Sequence, residues 1–330
     1  MLLTHGACDA TLPPVALTIG NFDGIHRGHQ AMLERLVDEA RKRALVSCVL
    51  TFEPHPREFF APESAPTRLA SLRKKFELLA AHKVERLHVQ RFTGSFAALE
   101  PAAFVERVLA KRLKTRWLLI GEDFRFGAKR AGDLALLKSL AGRYGYEVEI
   151  MPAVTRAGTR VSSSAVRAAL AAGDLASAEA LLGRPYGISG RVVHGRKLGR
   201  KLGFATANVQ LKHNRPPLTG IYAVRVDGIG AVARSGVASL GVRPTITASG
   251  RSVLEVHLFD FSGDLYAAHV RVEFLHKIRD EEKYSDLDAL KAQIARDCEA
   301  AKGVLLEHRN AGERLQENAQ PPGHALPDAR

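Results

Sequence analysis

Residues 15–37, VALTIGNFDGIHRGHQAMLERLV, predict a strand, a glycine-bearing loop and the start of a helix. The strand VALTIG is apolar, and glycines in the loop allow its backbone to approach a ligand closely. The helix begins near His29, where its free amides can meet phosphate. Leu33, Leu36 and Val37 share one face of that helix, which predicts that it packs on a sheet.

Strand-like runs continue to alternate with helical patterns as far as residue 151. After VALTIG they are ALVSCVLTF, ERLHVQRF, WLLIGE and YEVEIMP. Strands and helices in this alternation predict an α/β domain with a doubly wound, mostly parallel sheet covered on both faces. Ligands of such sheets bind at the carboxyl ends of the strands. Two short helices, beginning near Ser162 and Asp174, close this half.

The pattern changes at about Pro185. Short runs rich in Val, Ile and Tyr now alternate with Gly and Pro, as in GISGRVV, LTGIYAVRV and VLEVHLFD. They predict an antiparallel sheet or β-barrel, followed by a helix that Ser285 can cap and that packs on it. We therefore expect one domain at 1–184, a second at 185–310 and a disordered tail at 311–330.

The formal net charge is +13, and it is concentrated in one segment. From Arg184 to Arg215 there are eight basic residues and no Asp or Glu. Phosphate is the simplest partner for such a segment, but charge alone favours a solvated basic face or a nonspecific RNA patch over a specific nucleotide site. The sequence has neither an apolar run of membrane-spanning length nor a secretory signal, so we expect a cytoplasmic protein without a membrane partner.

Three motifs follow predicted strands and converge on one edge of the parallel sheet: GNFDGIHRGH (20–29), TFEPHP (51–56) and GEDFRFG (121–127). His26 and His29, three residues apart at a helix start, can both donate hydrogen bonds to phosphate oxygens. With SSSAVR (162–167), these motifs resemble those of the bacterial bifunctional riboflavin kinase/FAD synthetases, whose first domain is an HxGH nucleotidyltransferase.

The resemblance implies that FMN attacks the α-phosphorus of ATP to give FAD and pyrophosphate, with Mg²⁺ as cofactor. His26 and His29 are then catalytic and contact ATP, together with Gly20, Asp23, Ser163, Ser164 and Arg167. The flavin-binding residues implied in this domain are Phe52, His55, Asp123, Phe124 and Arg125. Aromatic rings offer faces to planar heterocycles, although a buried Phe is ordinarily part of a core.

The segment GRKLGRKLGFATAN (195–208) combines repeated glycines with Arg and Lys, which suits a phosphate-binding loop or a basic hairpin. It resembles the riboflavin kinase motif LGFPTAN, and GVASLGVRPT, LEVHLFDFSGDLY and FLHKIRDEEKY match that family in order. The resemblance implies that this half of the chain is a β-barrel domain that catalyses the conversion of riboflavin to FMN. The implied roles are ATP binding by Gly195, Lys201, Thr206 and Asn208, Mg²⁺ binding by Thr206 and Asn208, general-base catalysis by Glu255 and flavin contact by Arg279.

Two residues depart from the family pattern, since Ala205 replaces a proline and Ala267 a glycine. Both departures put the rates of the reaction in doubt, but they do not change which reaction the resemblance implies. One alternative is a nucleotidyltransferase for another phosphomonoester, and the riboflavin kinase motifs of the C-terminal half argue against it. The other is a nonenzymatic RNA-binding protein that uses the basic segment. Against these, we expect only small-molecule partners, namely riboflavin, FMN and ATP, and no nucleic acid.

Overall fold

The computed structural model describes residues 1–6, 11–156, 158–195, 203–211, 215–242 and 252–317. It contains two compact units. The first comprises Met1–Leu170, Ala176–Arg184 and Arg215–Pro217, and the second comprises Ala171–Leu175, Pro185–Asn214 and Leu218–Arg330.

The first unit is built on a six-stranded sheet in which all neighbouring strands are parallel. Its strands are β1 (Leu2–His5), β2 (Val15–Ile19), β3 (Val46–Glu53), β4 (Arg86–Arg91), β5 (Thr115–Gly121) and β6 (Glu147–Met151). Their order is β1-β4-β3-β2-β5-β6, so the predicted doubly wound sheet is confirmed. The sequence did not predict the edge strand β1, which is short and largely exposed.

Helices cover both faces of this sheet. They are α1 (Arg27–Lys42), α2 (Pro56–Phe60), α3 (Leu72–Ala81), α4 (Gly94–Ala97), α5 (Pro101–Phe104), α6 (Leu134–Tyr144), α7 (Ser163–Ala171) and α8 (Leu175–Leu182). A π-helix, Val105–Arg112, continues α5, a 3₁₀ turn spans Ala128–Arg130, and a small hairpin pairs β7 (Thr155–Arg156) with β8 (Thr159–Arg160). Leu33 and Leu36 are buried on one face of the sheet, and Leu109 and Leu137 on the other.

The second unit is a closed antiparallel barrel, as predicted. Its strands are β9 (Gly187–Val193), β10 (Thr206–Val209), β11 (Gly220–Asp227), β12 (Arg234–Val242), β13 (Ser252–Leu258) and β14 (His269–Arg279). The sequence did not predict β10, because its four residues follow a segment of Gly and basic residues instead of a run of strand formers. Pairing with β9 and β13 on either side supplies its hydrogen bonds.

The terminal helix, α9 (Leu287–Glu317), packs on the barrel through the buried residues Cys298 and Ala301. Its first turn is capped by Asp286, whose carboxylate accepts a hydrogen bond from the amide of Ala289 (2.7 Å), and not by Ser285 as predicted. The helix runs to Glu317, and so enters the segment from residue 311 for which we expected disorder. Residues 318–330 lie outside the described part of the chain.

A buried ion pair joins β14 to α9. Asp297 accepts hydrogen bonds from Nε (2.8 Å) and Nη2 (2.6 Å) of Arg279. Removing one member of a buried pair leaves an uncompensated charge. We expect Asp297→Asn to lower the free energy of unfolding of the barrel by about 2 kcal/mol, a reduced figure because Arg279 keeps some contact with water. Calorimetry of the barrel transition measures this.

The matched control is Glu299→Gln on the same helix, which also removes one carboxylate charge. Glu299 pairs with Lys302 at the surface, and such pairs contribute little. Equal losses in the two variants would contradict a stabilising role for the buried pair.

A buried histidine on β4 predicts acid sensitivity of the parallel-sheet unit. His88 is fully buried beside the hydroxyl of Thr4 (3.0 Å). Burial, assisted by the positive charge of Arg112, lowers the pKa of His88 from 6.5 to about 4. The unfolded chain therefore binds more protons than the folded chain between these values, and stability declines as pH falls through that interval.

Replacing His88 with Gln should flatten this pH dependence. We expect the stability advantage of the wild type over His88→Gln to shrink by about 2 kcal/mol between about pH 7 and about pH 4.5. Fluorescence of Trp117, the one tryptophan of the sequence, reports unfolding of this unit because the residue is buried in its core. Parallel pH profiles for the two chains would contradict the prediction.

Candidate functional site

A cavity of about 1050 Å³ lies at the carboxyl edge of the parallel sheet. It is bounded by the loops after β2, β3 and β5 and by the start of α7. The sequence-predicted residues that line it are Gly20, Asp23, Phe52, His55, Asp123, Phe124, Arg125, Ser163, Ser164 and Arg167. The motifs thus converge as expected, although His26 and His29 are not themselves among the residues that line the cavity.

The loop after β2 turns sharply to bring His26 to the start of α1. Phe22 (φ 46°) and Ile25 (φ 43°) adopt left-handed backbone angles that are costly for residues with a Cβ. Both side chains are buried, and their burial offsets this strain. Gly24 is also left-handed (φ 81°), and a Cβ there would lie 2.8 Å from Cδ1 of Leu69.

The two histidines form a stacked pair at the N-terminus of α1. Their ring centroids lie 3.7 Å apart, and Nδ1 of His26 accepts a hydrogen bond from the amide of His29 (3.3 Å). Burial lowers the pKa of His26 to about 4, and it also holds the pKa of His29 well below its usual value. Both rings are therefore neutral at pH 7. Because Nδ1 of His26 is an acceptor, its proton resides on Nε2, where it can be donated.

Asp23 and Arg167 connect three parts of the chain. The Asp23 carboxylate accepts hydrogen bonds from the amides of Leu69 and Ala70 (both 3.0 Å) and pairs with Arg167. Nε of Arg167 donates to the carbonyl of Thr67 (2.6 Å). The predicted fork of Arg167 on two phosphate oxygens therefore requires it to leave Asp23 or to use Nη1. Sequence spacing gives no sign of this pair.

The start of α7 presents two serines to the cavity. Ser162 caps the helix, since its Oγ accepts a hydrogen bond from the amide of Ala165 (3.2 Å). Ser163 and Ser164 both line the cavity, and Oγ of Ser163 donates to the carbonyl of Asp23 (2.9 Å). The capped start of α7 therefore faces the cavity, and the anion site predicted there stays a prediction.

Aromatic rings form much of the remaining wall. Phe124 is stacked on Phe126 with centroids 5.7 Å apart, and Phe52 meets Phe92 edge to face at 5.9 Å. The sequence did not single out Phe60, Phe92 and Phe96, which also line the cavity. The loops around these rings are held by ion pairs, Asp123 with Arg160 (2.8 Å) and Arg125 with Asp133 (3.4 Å).

Two residues have local roles that the sequence did not reveal. His55 caps α2, accepting a hydrogen bond at Nδ1 from the amide of Arg57 (3.1 Å), and burial lowers its pKa. Lys75 is buried below the histidine loop, where Nζ donates to Oγ1 of Thr51 (3.1 Å). Lys75 follows Lys74 and immediately precedes Phe76, and this local sequence does not distinguish it from a solvated lysine.

The barrel brings together a second set of predicted residues. Asn208 on β10 lies directly opposite Glu255 on β13, and Thr206 lies opposite His257. Directly opposed and alternate residues share one face of a sheet. Leu254, Val256 and Leu258 are buried on the other face, so apolar and polar residues alternate along β13.

Gly195 and Ala205 sit close to these polar residues. A Cβ on Gly195 would lie 2.2 Å from Nδ2 of Asn208, so a larger residue there would displace the Asn208 amide. The carbonyl of Ala205 accepts a hydrogen bond from Nδ1 of His257 (2.9 Å), which restrains the backbone that proline would restrain in the family motif. Ala267, the other departure, is left-handed (φ 64°), the conformation that favours glycine.

The guanidinium group of Arg279 forms hydrogen bonds with other residues of the described chain. Besides its ion pair with Asp297, it donates from Nη1 to the carbonyl of Asp280 (2.8 Å). A flavin contact by Arg279 would therefore use its planar face. Lys201, the remaining predicted residue, lies outside the described part of the chain.

Two arginines of the basic segment, Arg184 and Arg215, form hydrogen bonds within the first unit. Arg184 donates to the carbonyls of Gly24 and Ile25 (3.1 Å for the latter). Arg215 donates to the carbonyls of Pro62 (3.0 Å) and Glu63 (2.7 Å). These two guanidinium groups are therefore hydrogen-bonded to backbone carbonyls of the first unit.

Comparison with known proteins assigns both units. The FAD synthetase family model matches residues 8–165, and the riboflavin kinase model matches residues 182–305. A bifunctional riboflavin kinase/FMN adenylyltransferase from Escherichia coli K12 is 49% identical over 89% of this chain and 93% of its own length. The protein of the same name from Haemophilus influenzae is 47% identical over 92% of this chain and 99% of its own.

A crystal structure of a macrolide-efflux protein from Streptococcus pneumoniae has the same fold, with a TM-score of 0.75 and 29% identity over 90% of this chain and 97% of that one. The described residues contain no helix with the length and hydropathy needed to cross a membrane. Both family models match in order, and the full-length relatives are similar over most of the chain. This chain therefore belongs to the family of bifunctional riboflavin kinase/FMN adenylyltransferases.

Proposed function

We propose that this chain phosphorylates riboflavin with ATP to give FMN and then transfers the adenylyl group of a second ATP to FMN, giving FAD and pyrophosphate. The observation that carries the proposal is that residues of one motif set line the cavity of the first unit, while Asn208 and Glu255 of the other set lie opposite each other on paired barrel strands. We also propose that the enzyme acts in the cytoplasm on small molecules alone.

In the adenylyl-transfer site, no protein nucleophile is needed, because the FMN phosphate attacks the α-phosphorus of ATP directly. The neutral rings of His26 and His29 donate hydrogen bonds to ATP phosphate oxygens as charge develops there. Ser163, Ser164 and Arg167 hold the leaving pyrophosphate. Gly20 and Asp23 complete the ATP site, and the flavin is held by Phe52, His55, Asp123, Phe124 and Arg125.

In the barrel site, Glu255 acts as the base for the terminal hydroxyl of riboflavin. A carboxylate in hydrogen-bond reach can orient this weak nucleophile and accept its proton as the bond to the γ-phosphorus forms. Gly195, Lys201, Thr206 and Asn208 bind ATP, and Arg279 lies beside the flavin.

The barrel residues fit a magnesium ion that arrives with ATP. Mg²⁺ prefers oxygen ligands and usually combines one or two from the protein with phosphate and water. Thr206 and Asn208 supply a hydroxyl and an amide oxygen on one face of β10. In the described part of the chain, no cluster of His, Cys, Asp and Glu side chains offers a metal cage. When bound, the ion offsets the negative charge of the transferred phosphate.

Position-specific labels on ATP test both reactions in one protein. With riboflavin as acceptor, label at the γ-phosphate should appear in FMN. With FMN as acceptor, label at the α-phosphate should appear in FAD, and label at the γ-phosphate should appear in pyrophosphate. Absence of α-label from the flavin product would contradict the adenylyl transfer.

A further inference from the structure

The loop that carries Phe124 closes on itself just beyond that ring. Phe126 and Gly132 exchange two backbone hydrogen bonds, from the Phe126 amide (3.1 Å) and from the Gly132 amide (2.9 Å). Between them, Lys129 (φ 51°) and Arg130 (φ 57°) are consecutive left-handed residues that carry a Cβ. Two such residues in succession are strained and persist only where the surroundings fix them.

The surroundings fix this turn closely. Gly127 (φ 71°) packs against α5, and a Cβ there would lie 2.8 Å from Cα of Pro101. The amide of Ala128 donates to the carbonyl of Leu99 (2.8 Å). A Cβ on Gly132 would lie 2.7 Å from the ring of Phe126. The turn thus presents Lys129 and Arg130 from a rigid support.

Both cations line the cavity, and they differ from Arg125 and Arg167, which also line it. Arg167 pairs with Asp23, and Arg125 pairs with Asp133 (3.4 Å). No carboxylate among the described residues lies within ion-pair distance of Lys129 or Arg130. A strained turn that holds two unpaired cations against a cavity is suited to an anionic ligand.

We propose that Lys129 and Arg130 bind the 5′-phosphate of FMN and make the adenylyl-transfer site selective for a phosphorylated flavin. This inference rests on the proposed function. The turn directly follows the stacked rings of Phe124 and Phe126 in the chain, so one segment offers an aromatic face and two cations. Flavin phosphate requires that combination. The triphosphate of ATP is assigned to the histidine pair and the start of α7.

The test uses Lys129→Gln, Arg130→Gln and the double variant in the full-length protein. Glutamine removes the charge and keeps a long polar side chain. Lys138→Gln is the matched control, because Lys138 is exposed on α6 and does not line the cavity. Arg130→Lys retains the charge. The KM for FMN and the KM for ATP are measured in FAD formation, with inhibition by lumiflavin, an uncharged flavin without a ribityl chain, as a probe of ring binding.

We expect each Gln variant to raise the KM for FMN about tenfold, as for loss of one charge-assisted contact. The KM for ATP and the inhibition constant of lumiflavin should stay unchanged, and Arg130→Lys should recover most of the affinity. Added salt should raise the KM for FMN more in the wild type than in the double variant.

An unchanged KM for FMN in the double variant would overturn the proposal. So would a rise in the KM for ATP alone, which would assign the cations to the triphosphate. A matching weakening of lumiflavin would also overturn it, because it would show damage to the aromatic wall. A wild-type protein that forms no FAD would instead refute the proposed function on which the inference rests.

Discussion

The His29→Ala chain is expected to convert riboflavin to FMN and to accumulate it. The substitution removes one neutral donor at the start of α1 and the ring that stacks on His26 at 3.7 Å. Loss of one preorganised donor to a developing oxyanion costs roughly 3–4 kcal/mol of transition-state stabilisation, or about 10²–10³ in rate. FAD formation from FMN and ATP, followed by chromatography of the flavins, measures this loss.

Two controls separate chemistry from damage to the fold. Riboflavin phosphorylation by the same variant should proceed at the wild-type rate, because its site lies in the barrel. His82→Ala removes another imidazole of the same unit, at the end of α3, and should leave FAD formation intact. Undiminished FAD formation by His29→Ala would remove this residue from the mechanism.

Glu255→Gln is expected to have the opposite effect, with phosphorylation lost and adenylylation kept. Gln keeps the shape of the side chain opposite Asn208 and Ser239 and removes only the basic function. A general base contributes about 10²–10⁴ in rate. We therefore expect kcat for riboflavin phosphorylation to fall by about that factor, while riboflavin affinity changes little.

The variant supplies its own control when it is given FMN and ATP. FAD should then form at the wild-type rate. Near-normal phosphorylation would contradict the assignment of Glu255 as base, and equal losses in both reactions would indicate misfolding.

The features that could be predicted from sequence are those with a local period. The strands β2 to β6 and the alternation along β13 follow from apolar spacing, and glycine marks the turns between them. By contrast, the four residues of β10 show no strand pattern, and this strand is stabilised by its pairing with neighbouring strands such as β13. The helix is capped by Asp286, whereas we predicted Ser285. Adjacent residues of similar capping ability cannot be distinguished by sequence alone.

The partners of the charged site residues could not be predicted either. Arg167 pairs with Asp23, which lies 144 positions earlier, and Arg279 pairs with Asp297 on a different element. Such pairs depend on tertiary packing, so the sequence could assign these arginines only to ligands. The unpaired state of Lys129 and Arg130 is equally a property of the fold.

The central claim is that one chain carries riboflavin through FMN to FAD at two sites. A time course of the wild-type protein with riboflavin, ATP and Mg²⁺, with flavins and pyrophosphate resolved, tests it most directly. We expect FMN to appear first and then to decline as FAD accumulates, with one pyrophosphate released for each FAD formed. A reaction that ends at FMN without pyrophosphate, or that leaves riboflavin unchanged, would contradict the account.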